Sequence, residues 1–236
     1  MSDGHGSMYD DFAEAFARHA EGGSFNALYD RPAVLDLLGD VHGLQVLDVG
    51  CGPGLYALEL IQRGACVTAF DSSAEMVRLA SARVGAACDV RHASLEEPLN
   101  WLADGSQDAA VMALVLHHVD ARAQAFAELF RVLRPGGCLV LSTVHPTSDW
   151  LRHGGSYFAT ELIEETWGDN WKVRYWRQPL DGWCREFTDA GFMIERLIET
   201  RPLPAMAQQD QRHYEQLQRQ PEFITLRLVK PGVGRS

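Results

Sequence analysis

The chain has no apolar run near the ~20 residues that a membrane-spanning helix needs. Its start, Met1-Ser2-Asp3-Gly4-His5-Gly6-Ser7, carries neither the basic nor the apolar stretch of a secretion signal. A cytoplasmic protein with no membrane partner is therefore expected. Positive charge is also scarce: at a formal net charge of -11, partners held by their phosphates, nucleic acid above all, are disfavoured because such binding needs clustered Lys and Arg. The five cysteines, Cys51, Cys66, Cys88, Cys138 and Cys184, are odd in number and scattered, with no C-x-x-C pair. That pattern argues against a disulfide framework and a zinc site, and no metal is expected. Internal repeats and low-complexity tracts are missing too, which excludes a solenoid or propeller.

What remains is an ordinary soluble composition, 46% hydrophobic and 22% charged, on a chain of 236 residues, long enough to bury one substantial core. From residue 45 onward, short apolar runs alternate with helix-period segments, the signature of βαβ units and a mostly parallel sheet. Strands are predicted over 45–49, 67–70, 108–114, 138–143, 192–199 and 223–229, and helices over 55–63, after Asp71, around 126–133, near 180–190 and around 207–218. Ser72-Ser73-Ala74-Glu75 fits a capping box for the helix after Asp71. Between 144 and 178 the sequence turns rich in Trp, Tyr, His and Gly without clear periodicity, and looks inserted. A single domain is expected, with a helical cap over 1–43, a ligand-binding core over 44–143, the insertion over 144–178 and closing elements over 179–230.

The turn Val49-Gly50-Cys51-Gly52-Pro53-Gly54 joins a strand to a helix, where missing side chains let a ligand approach the backbone. Its spacing fails the dinucleotide fingerprint, which wants its third glycine where Leu55 stands. Asp48 beside it would repel a pyrophosphate and attract an ammonium or sulfonium group. Asp71 ends the second strand, at about the distance where an acid hydrogen-bonds ribose hydroxyls in nucleoside-binding folds.

Together, Asp48-Val49-Gly50-Cys51-Gly52-Pro53-Gly54, Asp71, Leu114-Val115-Leu116-His117-His118-Val119 and Leu133-Arg134-Pro135-Gly136-Gly137 resemble the class I S-adenosylmethionine-dependent methyltransferases of the ubiquinone/menaquinone-biosynthesis type. Asn26-Ala27-Leu28-Tyr29-Asp30-Arg31-Pro32 and His145-Pro146 look like a small-molecule branch of that family. The resemblance implies a Rossmann-like, doubly wound α/β fold with a seven-stranded sheet in order 3-2-1-4-5-7-6, strand 7 antiparallel, and 223–229 as that strand. It also implies S-adenosylmethionine as cofactor. Gly50, Gly52 and Gly54 would pass its methionine part, with Asp48, Cys51 and Ala113 beside them. Asp71 would hold the ribose, and Ser72 and Met76 would border the adenine. Ser94-Leu95 falls where an acid usually accepts from the adenine amino group, and here the chain departs, because Ser94 can accept but carries no charge.

Methyl transfer from a sulfonium is downhill, so alignment does most of the work. Where the acceptor must lose a proton, His is the usual base. His117 and His118 follow the fourth strand and His145 the fifth, at the strand ends where open sheets place ligands. His145 and His117 are the catalytic candidates. A hydrogen-bonded structural role stands beside each, and is the preferred reading for His118. Trp150, Tyr157, Phe158, Trp167, Trp171, Tyr175 and Trp176 crowd the insertion, either as a substrate lid or as local packing. Trp150, Tyr157 and Trp176, with Tyr9 and Phe16 from the N-terminal region, are the candidate acceptor contacts; Tyr29 is a candidate to close over the cofactor. The expected acceptor is a small molecule. Methylation of tRNA or protein, or cofactor binding without transfer, stays open at this point.

Overall fold

The structure is a computed structural model that describes residues 9–167 and 171–232. The Met1 to Ser7 stretch and the side chain of Trp167 lie outside the described residues. In chain order the elements are α1 Ala13–Gly22, α2 Arg31–Leu38, β1 Gln45–Val49, α3 Leu55–Gln62, β2 Cys66–Asp71, α4 Ala74–Val84, β3 Cys88–His92, β4 Gln107–Ala113, α5 Arg122–Val132 and β5 Leu133–Val144. Then come α6 Pro146–His153, β6 Glu161–Trp167, β7 Trp171–Arg177, α7 Leu180–Asp189, β8 Met193–Glu199, α8 Met206–Gln209, α9 Gln211–Leu217 and β9 Phe223–Val229.

Apolar strands without strict alternation must be covered on both faces, and crossover helices supply the cover. Leu47, Phe70, Met112 and Leu141 pack under Phe126 and Leu129 of α5 and Trp183 and Phe187 of α7. On the opposite face Val46, Ala69, Val111 and Val140 meet Leu35 of α2, Leu60 of α3 and Ala80 of α4. The sheet order is β3-β2-β1-β4-β5-β9-β8, with β9 antiparallel to both neighbours. Counted without the hairpin β6–β7, which forms its own small sheet, this is the expected 3-2-1-4-5-7-6 order.

Three local expectations change. The cap of α4 is Ser73, whose hydroxyl accepts from the Met76 amide at 3.1 Å; Glu75 pairs with Arg78 instead of closing a box. The polar helix around 207–218 is two short helices broken at Asp210, whose carboxylate caps the second by accepting from the His213 amide. The insertion is ordered secondary structure: α6, then an antiparallel hairpin in which Val173, Tyr175 and Arg177 are buried and Lys172 and Arg174 exposed. The period-two signal was present there, but a buried Arg177 and a half-buried Trp176 on the other face obscured it.

Candidate active site

Open parallel sheets leave a crevice at the carboxyl ends of their strands. Here the ends of β1, β2 and β4 meet the N-terminal helices and the hairpin around a cavity of about 850 Å³, toward the large end of the ~300–1,000 Å³ of small-molecule sites.

Gly50, Gly52 and Gly54 all hold left-handed φ, at +63°, +51° and +79°, which favours glycine at each. Their surroundings differ. A Cβ on Gly50 would come within 2.5 Å of Val115, and one on Gly54 within 3.0 Å of the Ala80 backbone, whereas one on Gly52 would meet nothing within 4 Å. Gly50 and Gly54 are thus also fixed by the protein's own packing, while the space beside Gly52 is left open. Gly50, Cys51 and Gly52 line the cavity; Gly54, at the head of α3, does not.

Asp71 braces this turn: its carboxylate accepts from the Gly52 amide at 2.8 Å and the Ser73 amide at 2.9 Å. Burial raises its pKa, and those two amides oppose the rise. Asp71, Ser72, Met76 and Ala113 all line the cavity. Next to Ala113, Leu114 takes φ +56°, the only described non-glycine residue with positive φ, at a cost of about 1–3 kcal/mol. Its amide is held by the Ser142 carbonyl at 3.0 Å and hydroxyl at 3.2 Å, which fixes this wall.

Other expected cofactor contacts fall elsewhere. Asp48 is buried behind the turn, 2% exposed, and is not part of the cavity wall. Leu95 sits in the core and Ser94 accepts from the Glu96 amide, both off the cavity. Tyr29 is also off it, its hydroxyl accepting from the Glu222 and Phe223 amides to tie down the start of β9. Burial pushes the Asp48 carboxyl up to about 7, above its value in an unfolded chain, so folding favours the protonated form. That contribution to stability is complete below about pH 4 and is lost as pH rises toward 7. Asp48→Asn, which cannot ionise, is therefore expected to raise the melting temperature over wild type at pH 8 and to change it much less at pH 5. A difference that stays constant from pH 5 to pH 8 overturns this assignment.

The three histidines separate clearly. His117 is buried and lines the cavity, with Nδ1 3.0 Å from the Thr143 hydroxyl; burial, then the neighbouring His118, holds its pKa well below the usual imidazole value. His118 also lines the cavity, its ring nitrogens 3.0 Å from the Tyr9 hydroxyl and 2.9 Å from the Arg174 carbonyl, and burial lowers it to about 4. It joins the N-terminal region to the hairpin, as the structural reading expects. His145 does not line the cavity. Its Nδ1 accepts from the Thr147 amide as the cap of α6, and its Nε2 lies 3.5 Å from Glu199. It follows β5 as expected, but the turn into α6 takes its ring toward the helix end.

Of the expected acceptor contacts, Tyr9 and Phe16 line the cavity and Trp150, Tyr157 and Trp176 do not. Trp150 donates to the Gly155 carbonyl, Tyr157 accepts from the Leu180 amide, and Trp176 donates to Asp120. Among the described residues, the tryptophan that lines the cavity is Trp171, stacked on Phe12 at 5.2 Å and edge-on to Phe16. Sequence reasoning also passed over Asp30, Arg31, Tyr56, Arg152 and Glu222 in the cavity wall. Asp30 and Arg31 stood inside a quoted segment without a role; nothing local marked the other three.

The profile of the methyltransferase domain family matches residues 47–141. The chain is 32% identical over 161 residues to the ubiquinone biosynthesis O-methyltransferase of Alkalilimnicola ehrlichii, covering 65% of this chain and 63% of that protein, so it spans just under two thirds of that relative's length. It is 30% identical over 205 residues to the enzyme of the same name from Pseudomonas aeruginosa, covering 76% of this chain and 85% of that one. A solved S-adenosylmethionine dependent methyltransferase from Mesorhizobium loti superposes with a TM-score of 0.69 at 24% identity, covering 89% of this chain and 99% of that one.

Proposed function

Because the chain belongs to the class I S-adenosylmethionine-dependent methyltransferases, in the branch of the ubiquinone-biosynthesis enzymes, we propose that it transfers a methyl group from that cofactor to a small molecule held in the same cavity. The observation that carries this reading is the continuity of the site: the glycine turn and Asp71 share one cavity with Arg152 of α6, Trp171 of the hairpin and Phe223 of β9. One part suits a nucleoside and the other a second ligand.

The wall fits the cofactor. Gly52 leaves open space where any side chain would stand. Asp71 keeps lone pairs beyond its two backbone bonds, and Ser72 and Met76 follow it along the cavity. When bound, S-adenosylmethionine supplies an activated methyl on a sulfonium. The chain's own contribution is alignment of the acceptor, exclusion of water by Tyr9, Phe16 and Trp171, and a neutral imidazole at His117 to take a proton where the acceptor has one to lose. The segment 144–178 serves as the acceptor-side lid in this reading, supported by Arg152, Thr166 and Trp171 in the cavity wall. A cytoplasmic setting is supported by five free cysteines, and among the described residues no helix is long and apolar enough to cross a membrane. The net charge of -11 favours a small acceptor over nucleic acid.

The test is transfer of isotope-labelled methyl into fractionated cell extract. Label is expected in the low-mass fraction; label confined to RNA or protein, or none at all, overturns the proposal. A second measurement concerns the ribose: Asp71→Ala is expected to weaken S-adenosylhomocysteine binding by about 1.5–3 kcal/mol, because hydroxyls lose a charged acceptor. A folded variant with an unchanged calorimetric dissociation constant removes Asp71 from the site.

A further inference from the structure

The imidazole of His117 is enclosed by three side chains. Its Nδ1 lies 3.0 Å from the Thr143 hydroxyl, and the His118 ring leans on it with 4.2 Å between ring centres. The Tyr175 ring stands nearly perpendicular to it, 5.7 Å away with 83° between the planes. Tyr175 belongs to β7, where alternation puts it on the same strand face as Trp171 and the buried Val173. Trp171 lines the cavity and Tyr175 does not, so Tyr175 touches the base from outside the cavity. The strand is fixed at that place, because the Arg174 carbonyl lies 2.9 Å from Nδ1 of His118 and ties β7 to the turn that carries both histidines.

The far end of Tyr175 is pinned. Its side chain is fully buried, and its hydroxyl lies 2.9 Å from Nε2 of His153 and donates to Oδ1 of the buried Asp149 at 3.2 Å. Both partners come from α6, so the ring cannot swing away without breaking two hydrogen bonds in the interior, where unmade bonds are costly. It thereby fills the space between the imidazole and a polar pair. A shorter apolar side chain would open that space toward Asp149 and His153, which are polar enough to hold water, and water there would solvate the His117 ring. Burial is the first cause of the low pKa of His117, so a wetted ring would take up a proton more readily and lose the lone pair that a base needs. A core aromatic with no bearing on the base would alter stability when shortened and leave the protonation of His117 alone.

Resting on the function proposed above, we infer that Tyr175 is a positioning residue for the His117 base: its ring, pinned by Asp149 and His153, fixes the imidazole and keeps water from the side turned away from the cavity. The segment 144–178 then completes the base as well as facing the acceptor. Long-range proton–nitrogen NMR of the imidazoles in the full chain tests it, with the His117 signal assigned by its loss in His117→Gln. In wild type the ring is expected to stay neutral, in one tautomer, to the lowest pH at which the protein is folded. In Tyr175→Leu its titration midpoint should rise by about one pH unit or more toward the ordinary ~6.5. Tyr175→Phe keeps the ring and loses only the hydroxyl, so it should melt at a lower temperature with His117 neutral as in wild type. Single-turnover transfer of labelled methyl into the low-mass fraction of cell extract should fall by about tenfold or more in Tyr175→Leu and by less than about threefold in Tyr175→Phe. S-adenosylhomocysteine affinity should stay within about twofold in both, since the side chain is off the cavity wall. Tyr175→Met, more adaptable in a core but equally unable to reach the hydroxyl's place, serves where Tyr175→Leu does not fold. A folded Tyr175→Leu protein whose His117 titrates as in wild type, or an equal rise in Tyr175→Phe, overturns the inference and leaves the proposed function standing. A wild-type protein that transfers no methyl overturns the proposed function whatever the titration shows.

Discussion

Gly52→Val is expected to abolish measurable binding of S-adenosylhomocysteine, a loss of about 100-fold or more, in a protein that still folds. Two effects act together. At φ +51° a β-branched residue is strained by about 1–3 kcal/mol, which lowers the melting temperature without removing the core. The added carbons also have somewhere to go, because beyond the two chain neighbours no described atom lies within 4 Å of the Cβ position, and Gly52 lines the cavity. Gly50→Val provides the contrast: its Cβ would strike Val115 at 2.5 Å, so it should fail chiefly by destabilising the fold. Calorimetric titration beside a thermal melt separates the cases. A folded Gly52→Val protein with near-native affinity would remove the turn from the ligand site.

The same glycine shows why part of this site could be read from sequence. The strand before it, the turn and Asp71 are contiguous or nearly so, and their roles follow from backbone constraint and the order of elements, which a sequence carries directly. The mostly parallel α/β sheet was legible for the same reason, from apolar runs alternating with crossover helices, while the strand order and the place of 223–229 in it came from the family resemblance. Side-chain direction across the cavity was not legible. Trp171 and Trp176 lie on one strand, yet an odd separation puts them on opposite faces. Trp171 lines the cavity and Trp176 turns to Asp120 and Arg122. Asp30 is set in the cavity wall by Tyr56, 26 residues away, whose hydroxyl donates to its carboxylate, a relation no local pattern states. Ser94 and Leu95 were placed by resemblance alone, and the chain there turns its leucine into the core.

The histidines carry that lesson to the chemistry. His117 and His145 are both catalytic candidates in sequence, His145 the better placed because it directly follows its strand, but of the two it is His117 that lines the cavity. Its Nδ1 lies 3.0 Å from the Thr143 hydroxyl, and in the tautomer that carries the proton on Nδ1, Nε2 keeps a lone pair for an acceptor's proton. Burial holds its pKa well below the usual imidazole value, so it stays neutral through the physiological range, and a base of that kind suits an acceptor whose proton is already acidic or becomes so as the methyl arrives. His117→Ala is accordingly expected to lower turnover by about 10²- to 10⁴-fold with S-adenosylhomocysteine affinity changed by less than about twofold. Thr143→Val should lower turnover less, by loosening the ring. His145→Ala should leave turnover near wild type and instead cost about 0.5–2 kcal/mol of stability as α6 loses its cap. Single-turnover rates beside melting curves on the three variants decide between the roles. Full turnover in His117→Ala would show that alignment of the acceptor with the methyl group suffices without a base, and a large kinetic loss in His145→Ala with its stability intact would return the catalytic role to the residue that ends the fifth strand.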